Sequence, residues 1–224
     1  MEKRVSRKSD LSYVFDYNKK PVLTVKEGEN FTLETEDNLS GVLKSEKDIP
    51  LLENLKPYSD FEPAKYNPIT GPVYIEEAER GDLLEISIEK IIPAKIGISC
   101  TIPGLGNLGD TKRWPELGEA YTKVSHIFPE QSFWIEDGKG IYNEVIVWDL
   151  APFIGTIGLC PDFEVVSSML GQFPNGGNWD CRDIKEGSKL YLNCYHKGGF
   201  RRRCKMVPRF TAIEWTGVAN EVKA

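Results

Sequence analysis

Clusters of Gly, Pro, Asn and Asp interrupt this 224-residue chain too often for long helices to form between them. The runs they separate are short and rich in Val, Ile, Tyr, Phe and Trp, without the 3.6-residue periodicity of an amphipathic helix. That pattern predicts a mainly β fold, sandwich-like or barrel-like, with few short helices. Strands are expected over residues 21–25, 30–35, 73–75, 83–92, 122–128, 140–147 and 189–194. Residues 50–60 suit a short helix or an irregular crossing segment. Residues 103–115, punctuated by Gly104, Gly106 and Gly109, read as loop.

The stretch 67–82 has the densest local information. Pro68 disfavours helix at Asn67, and Gly71-Pro72 permits a sharp bend before the strand Val73-Tyr74-Ile75. Arg80-Gly81-Asp82 then reads as a reversal into 83–88, which predicts a β-hairpin with a rigid entry loop. Farther on, Gly155 and Gly158 weaken 153–159 as a strand interior but admit close approach of another backbone. A tightly packed buried strand is expected there, in preference to direct substrate contact. Residues 104–109 resemble a glycine-rich phosphate loop only superficially, because no Lys-Ser/Thr follows.

Composition narrows the function class. Hydrophobic residues make up 40% of the chain and charged residues 28%, as in ordinary globular proteins. A net charge of −6 and a pI near 5.2 argue against a nucleic-acid backbone as partner. The five cysteines (Cys100, Cys160, Cys181, Cys194 and Cys204) lack Cys-x-x-Cys spacing, so neither a disulfide framework nor a zinc knuckle is expected. The basic opening is followed by no apolar stretch, and no segment is long and apolar enough to span a bilayer. A cytoplasmic protein without membrane attachment is the expectation.

Few residues could serve a nucleophilic triad. No G-x-S-x-G is present, and His126 and His196 are the only histidines, each in a setting that suits a structural or exposed role. Cys100 and Cys160 sit in apolar surroundings, as inert thiols do. Carboxylates are better placed. Asp37 follows an expected strand, and Asp180 follows Gly176-Gly177-Asn178, where small residues let the chain turn a side chain into a cleft. Oxygen donors at strand ends suit Ca²⁺, Mg²⁺ or Zn²⁺, which lower the pKa of bound water. By residue type alone, both aspartates equally suit turns in which they accept backbone N–H groups. Glu34 suits a solvated strand face, a ligand or a proton shuttle. Glu79 and Asp82 read as turn chemistry.

Several quoted pieces resemble one family. The run 67–82 resembles N-P-x-T-G-P-[VI]-x-V-x-x-A-E-x-G-D, a signature of the acetamidase/formamidase family. Residues 21–29 and 33–37 resemble its P-V-L-x-V-x-x-G-[DE] and F-E-T-x-D strands. Residues 152–161 resemble P-M-I-G-x-I-G-V-A-P, while 176–180 and 187–192 resemble G-G-N-M-D and G-S-x-L-Y-L-P-V. The resemblance implies hydrolysis of a small aliphatic amide, of formamide or acetamide type, to carboxylate and ammonia. It implies a divalent metal ion, Zn or Ca, held by Asp37 and Asp180, with Glu214 at the same centre and Glu34 moving the proton. A homo-oligomer is also implied. Two further readings stand beside it: a non-catalytic ligand-binding relative, and an amidase using Cys100 or Cys160 as nucleophile.

The likeness breaks at 198–213. The family has a stretch like G-A-L-x-x-x-G-D-x-H-A-x-Q-G-D-G-E, whereas this chain places Arg201, Arg202 and Arg203 in an expected core strand. Agreement resumes at Glu214-Trp215-Thr216-Gly217-Val218. A locally shifted reading frame over 200–213 is the expectation, within a single β-rich domain spanning 1–224 that lacks the family's C-terminal portion. An intact mass that departs from the 25.3 kDa sequence mass would support the shift; agreement to within a dalton or so would eliminate it.

Overall fold

A computed structural model of the chain describes residues 3–7, 11–49, 66–76, 78–104, 110–128, 138–142, 144–162, 165–196, 205–209 and 218–223. The first strands are β1 (Arg4–Val5), β2 (Val14–Phe15), β3 (Leu23–Val25), β4 (Thr32–Leu33), β5 (Val73–Ile75), β6 (Leu83–Ser87), β7 (Ile92–Thr101) and β8 (Tyr121–Phe128). They are followed by β9 (Lys139–Tyr142), β10 (Ile146–Asp149), β11 (Thr156–Leu159), β12 (Val166–Ser167), β13 (Gly176–Asn178), β14 (Lys189–Asn193), β15 (Lys205–Arg209) and β16 (Val218–Lys223). A single 3₁₀ turn, Pro115–Leu117, is the only helical element among the described residues. The fold is mainly β, as the turn-punctuated sequence predicts.

Two five-stranded sheets dominate, with orders β10-β9-β8-β7-β16 and β13-β11-β15-β5-β3. The pairs β1-β4, β2-β12 and β6-β14 flank them. Every residue of β5 and of β11 is buried, which is why these runs lack in-out alternation. Val25, Val73, Ile75, Ile86, Ile154, Ile157, Leu159, Ile184 and Leu192 share one core that joins the second sheet to the β6-β14 pair. Each such side chain contributes about 1.5–3 kcal/mol of burial free energy. Leu39, Leu43 and Ile98 form a separate cluster, packed with Tyr66, Cys100 and Val124. None of the described helices is long and apolar enough to cross a membrane.

The expected hairpin over 73–88 does not form. β5 lies between β15 and β3, whereas β6 pairs with β14, Leu84 opposite Leu192. The cause is burial: β5 is enclosed on both faces and takes a neighbour on each side, while β6 alternates and keeps one solvated face. The Arg80-Gly81-Asp82 turn carries the chain between sheets. Gly81 N–H donates to Cys194 O (2.8 Å), and Cys194 N–H donates to Asp82 O (2.8 Å). The Glu79 N–H donates to Asp82 Oδ2 (2.6 Å), so both residues serve the turn as expected.

Other boundaries shift for local reasons. The expected strand 83–92 stops at Ser87, with Ile88 N–H donating to Ser188 O and Gly187 N–H to Ile88 O at the break, and a longer strand not foreseen, β7, begins at Ile92. The expected strand 140–147 is two antiparallel strands, β9 and β10, turned at Glu144 in the left-handed region (φ 59°). Trp148 of β10 lies over Gly140 of β9, where a Cβ would stand 2.4 Å from the indole. The segments 50–60 and 200–204 lie outside the described residues. The strand that begins beyond the arginines, β15, occupies the middle of the second sheet.

The close approach inferred from Gly158 is real. A Cβ there would stand 2.8 Å from Asn175 O, and one on Gly176 (φ 99°) would stand 2.5 Å from Ile157 O. Gly176→Ala is therefore expected to lower the unfolding free energy by about 2–4 kcal/mol, through clash and backbone strain together. Urea unfolding measures this, and an unchanged midpoint would contradict the packing described.

Candidate active site

Strand registers gather the polar residues at one end of the second sheet. Thr156, the first residue of β11, stands opposite Asn178, the last of β13, and opposite Arg209, the last of β15. Because β15 runs antiparallel to β5, the same end receives Thr70, Gly71 and Pro72 as they lead into β5. The Gly71-Pro72 peptide is cis, which supplies the expected bend. Thr70 Oγ1 donates to Glu34 O (2.9 Å), and Asn67 N–H donates to Asn38 O (2.9 Å), so residues 67–70 run beside 34–38.

Asp180 is held in a tightly specified turn just beyond β13. Gly155 O accepts the N–H groups of both Trp179 (2.8 Å) and Asp180 (3.0 Å). Asp180 itself is left-handed (φ 45°), a conformation that a non-glycine residue keeps only where its surroundings impose it. Its Oδ2 accepts Asn178 Nδ2–H at 3.0 Å, and Asn178 Oδ1 accepts the Thr156 hydroxyl at 2.7 Å. The Trp179 indole donates to Ile157 O (2.9 Å), and Gln172 Nε2 donates to the carbonyls of Asn178 and Trp179.

Asp37 caps the turn that follows β4. Its Oδ1 accepts Leu39 N–H (2.7 Å) and Gly41 N–H (3.2 Å), and only 8% of the residue is exposed. Burial, aided by the Asp37 charge, pushes the Cys100 thiol up. Burial, with Cys100 adding to it, pushes the Tyr66 phenol up to about 12. A thiol raised in this way stays protonated near neutrality, which works against a Cys100 nucleophile. Cys160 is buried and its Sγ donates to Asp16 O (3.5 Å).

Glu34 is occupied by the N-terminal arm. Arg4 bonds Glu34 Oε1 through Nε (3.0 Å) and its terminal nitrogen, while Ser6 Oγ and Arg7 N–H donate to Oε2 (3.3 and 3.4 Å). The Arg4 hydrogen bond, ahead of the smaller contributions of Arg7 and Ser6, holds this carboxyl below its ordinary range. Such a carboxylate is a weakened base. Arg7 also lies 3.9 Å from Glu36.

Glu214 falls outside the described residues. His196 is buried, with Nε2 bonded to Pro161 O and the Tyr17 ring 5.3 Å away. His126 lies on β8 opposite Ile96. No three His, Cys, Asp or Glu side chains among the described residues are grouped to hold a metal ion. Glu34, Asp37 and Asp180 therefore do not complete a cation site among themselves. What sequence reasoning missed is Thr156, whose signal was a polar residue inside an apolar run.

The comparison with known proteins decides what this arrangement belongs to. The sequence profile of the acetamidase/formamidase family matches residues 15–172. The chain belongs to that family. Solved structures agree over its whole length. An acetamidase from Bacillus halodurans superposes with a TM-score of 0.77 at 28% identity, covering 98% of this chain and 68% of its own. A predicted acetamidase/formamidase from Thermoanaerobacter tengcongensis gives 0.75 at 28% identity, covering 100% and 68%. A gamma lactamase from Delftia acidovorans shares the fold, with a TM-score of 0.63 at 16% identity over 91% of this chain and 60% of its own. No curated protein matches the chain significantly. As a family member, the chain has an architecture built for amide hydrolysis.

The lowered Glu34 carboxyl makes a linkage prediction. Its folded pKa lies below the unfolded value, so its stabilisation is present above about pH 4.3 and is lost as pH falls through the folded value. Glu34→Gln is expected to cost ~1 kcal/mol at pH 7, since the Arg4 partner is half exposed. Denaturant titrations across pH 2.5–7 should show that gap closing toward the acid end; a gap independent of pH would separate Glu34 from the effect.

Proposed function

We propose that this chain hydrolyses a short linear amide, of formamide or acetamide type, to the carboxylate and ammonia. The observation that carries the reading is the family match over residues 15–172. Asp180 is the carboxylate assigned to the reacting centre, because its turn, its left-handed backbone and its bond from Asn178 all fix one orientation. In this reading Asp180 takes a proton from water as the water oxygen adds to the amide carbon. The proton then passes to the departing nitrogen, and the C–N bond breaks.

A divalent cation, Zn or Ca, is part of the expectation drawn from the resemblance. When bound it would polarise the carbonyl oxygen and acidify water. The described donors do not complete such a site, and Glu214, the further donor implied by the resemblance, lies outside the described residues. Asp37 contributes through its turn, which shapes the wall beside residues 66–70.

The foreign stretch at 198–213 favours a second reading, a ligand-binding relative without turnover. Calorimetry with acetamide beside an ammonia assay separates the two, since binding without ammonia supports the second. For the hydrolase, Asp180→Asn is expected to lower kcat/KM by about 10²–10⁴-fold while the melting temperature stays close to wild type. Retained ammonia release in a folded Asp180→Asn protein would remove Asp180 from the centre. Dialysis against a chelator is expected to abolish ammonia release, with recovery on adding Zn²⁺ or Ca²⁺; full activity of the stripped protein would exclude the cation.

A further inference from the structure

We infer that Thr156 and Asn178 form a one-way hydrogen-bond relay whose task is to aim the Asp180 carboxylate. The inference rests on the reading of Asp180 given above, and it assigns positioning roles to two residues that do not themselves touch the reacting atoms.

The direction of the relay is fixed chemically. An ionised carboxylate only accepts hydrogen bonds, so the group facing Asp180 Oδ2 at 3.0 Å must be the NH₂ of Asn178. The other end of that amide is then an acceptor, which requires the Thr156 hydroxyl, 2.7 Å away, to donate. A reversed Asn178 would face the carboxylate with a carbonyl and lose that bond, leaving Thr156 to accept rather than donate. Thr156 is fully buried, in a strand whose other side chains are Ile157 and Leu159. Burying a hydroxyl there is unfavourable unless it is bonded, and Val would fill the same volume. The backbone adds a second constraint. Thr156 and Asn178 are register partners across β11 and β13, so strand pairing sets the spacing of the first link before any side chain is placed. Asp180, two residues on, is anchored separately through Gly155 O. The carboxylate is thus referenced to β11 by two routes, one through backbone and one through side chains.

The test uses the full chain with three substitutions. Thr156→Val keeps shape and removes the donor, Thr156→Ser keeps the donor and removes a methyl, and Asp180→Asn removes the charge. With acetamide, Thr156→Val is expected to lower kcat by about 10–100-fold with KM and melting temperature nearly unchanged, as a misaimed group does. Thr156→Ser is expected to recover most of kcat, which a purely structural role for the methyl and its packing would not give. A second measurement does not depend on turnover. The side-chain NH₂ resonances of Asn178 should be shifted in wild type from those of a solvated amide, as a hydrogen-bonded donor's are. That shift should vanish in Asp180→Asn and shrink in Thr156→Val.

A wild-type protein that releases no ammonia while showing the full resonance pattern would sink the hydrolase reading and leave the relay standing. The relay is overturned if Thr156→Val matches wild type in kcat or in the Asn178 amide shift, or if Thr156→Ser is as impaired as Thr156→Val. Should Thr156→Val fail to fold, Thr156→Ala replaces it, under the same two readouts.

Discussion

The structure turns on the close approach of β13 to β11. Backbone at Gly176 and Gly177 lies where any side chain would collide with Ile157, Gly158 or Gly171. That contact brings Asn178 opposite Thr156 and sets the origin of the Asp180 turn. A glycine at each point is therefore a geometric requirement of the site as well as of the sheet. Sheet pairing, core burial and the orientation of the central carboxylate share one set of atoms.

The three carboxylates singled out by the sequence have three different surroundings. Glu34 is bound by Arg4 and Arg7 and ties the N-terminal arm to β4. Asp37 spends one oxygen on two backbone amides of its own turn. Asp180 is held by a neutral amide that a buried hydroxyl orients in turn. Charge pairing depresses basicity, which suits Glu34 to a structural tie.

Much of the fold was readable because it rests on local rules. Turn residues and β-branched runs located many of the strands, including β5 at 73–75, and the glycines of 153–159 announced a buried strand, but the ten-residue β7 (Ile92–Thr101) and the short β1, β2, β12 and β13 were not foreseen. The other failures were failures of partnership. Nothing local distinguishes a strand that turns back on itself from one that crosses to another sheet, so β5 and β6 read as a hairpin. The Glu144 turn inside 140–147 was hidden because Val145 and Ile146 continue the apolar run while standing exposed at the surface. At the site, Asp180 was visible through the glycines before it, but Thr156 was masked by its apolar neighbours.

What the residues alone determined is the kind of structure and the family: a mainly β body, the bend at Gly71-Pro72 and the glycine-rich approach to Asp180. These depend on backbone sterics and on neighbours a few positions away, which the chain carries wherever it goes. Only the tertiary structure decided which strands meet, and hence that Thr156, Asn178 and Asp180 form one connected set while Glu34 serves the arm. Contacts between residues 22 or more positions apart are chosen by burial of whole faces against each other, and no single residue encodes that choice.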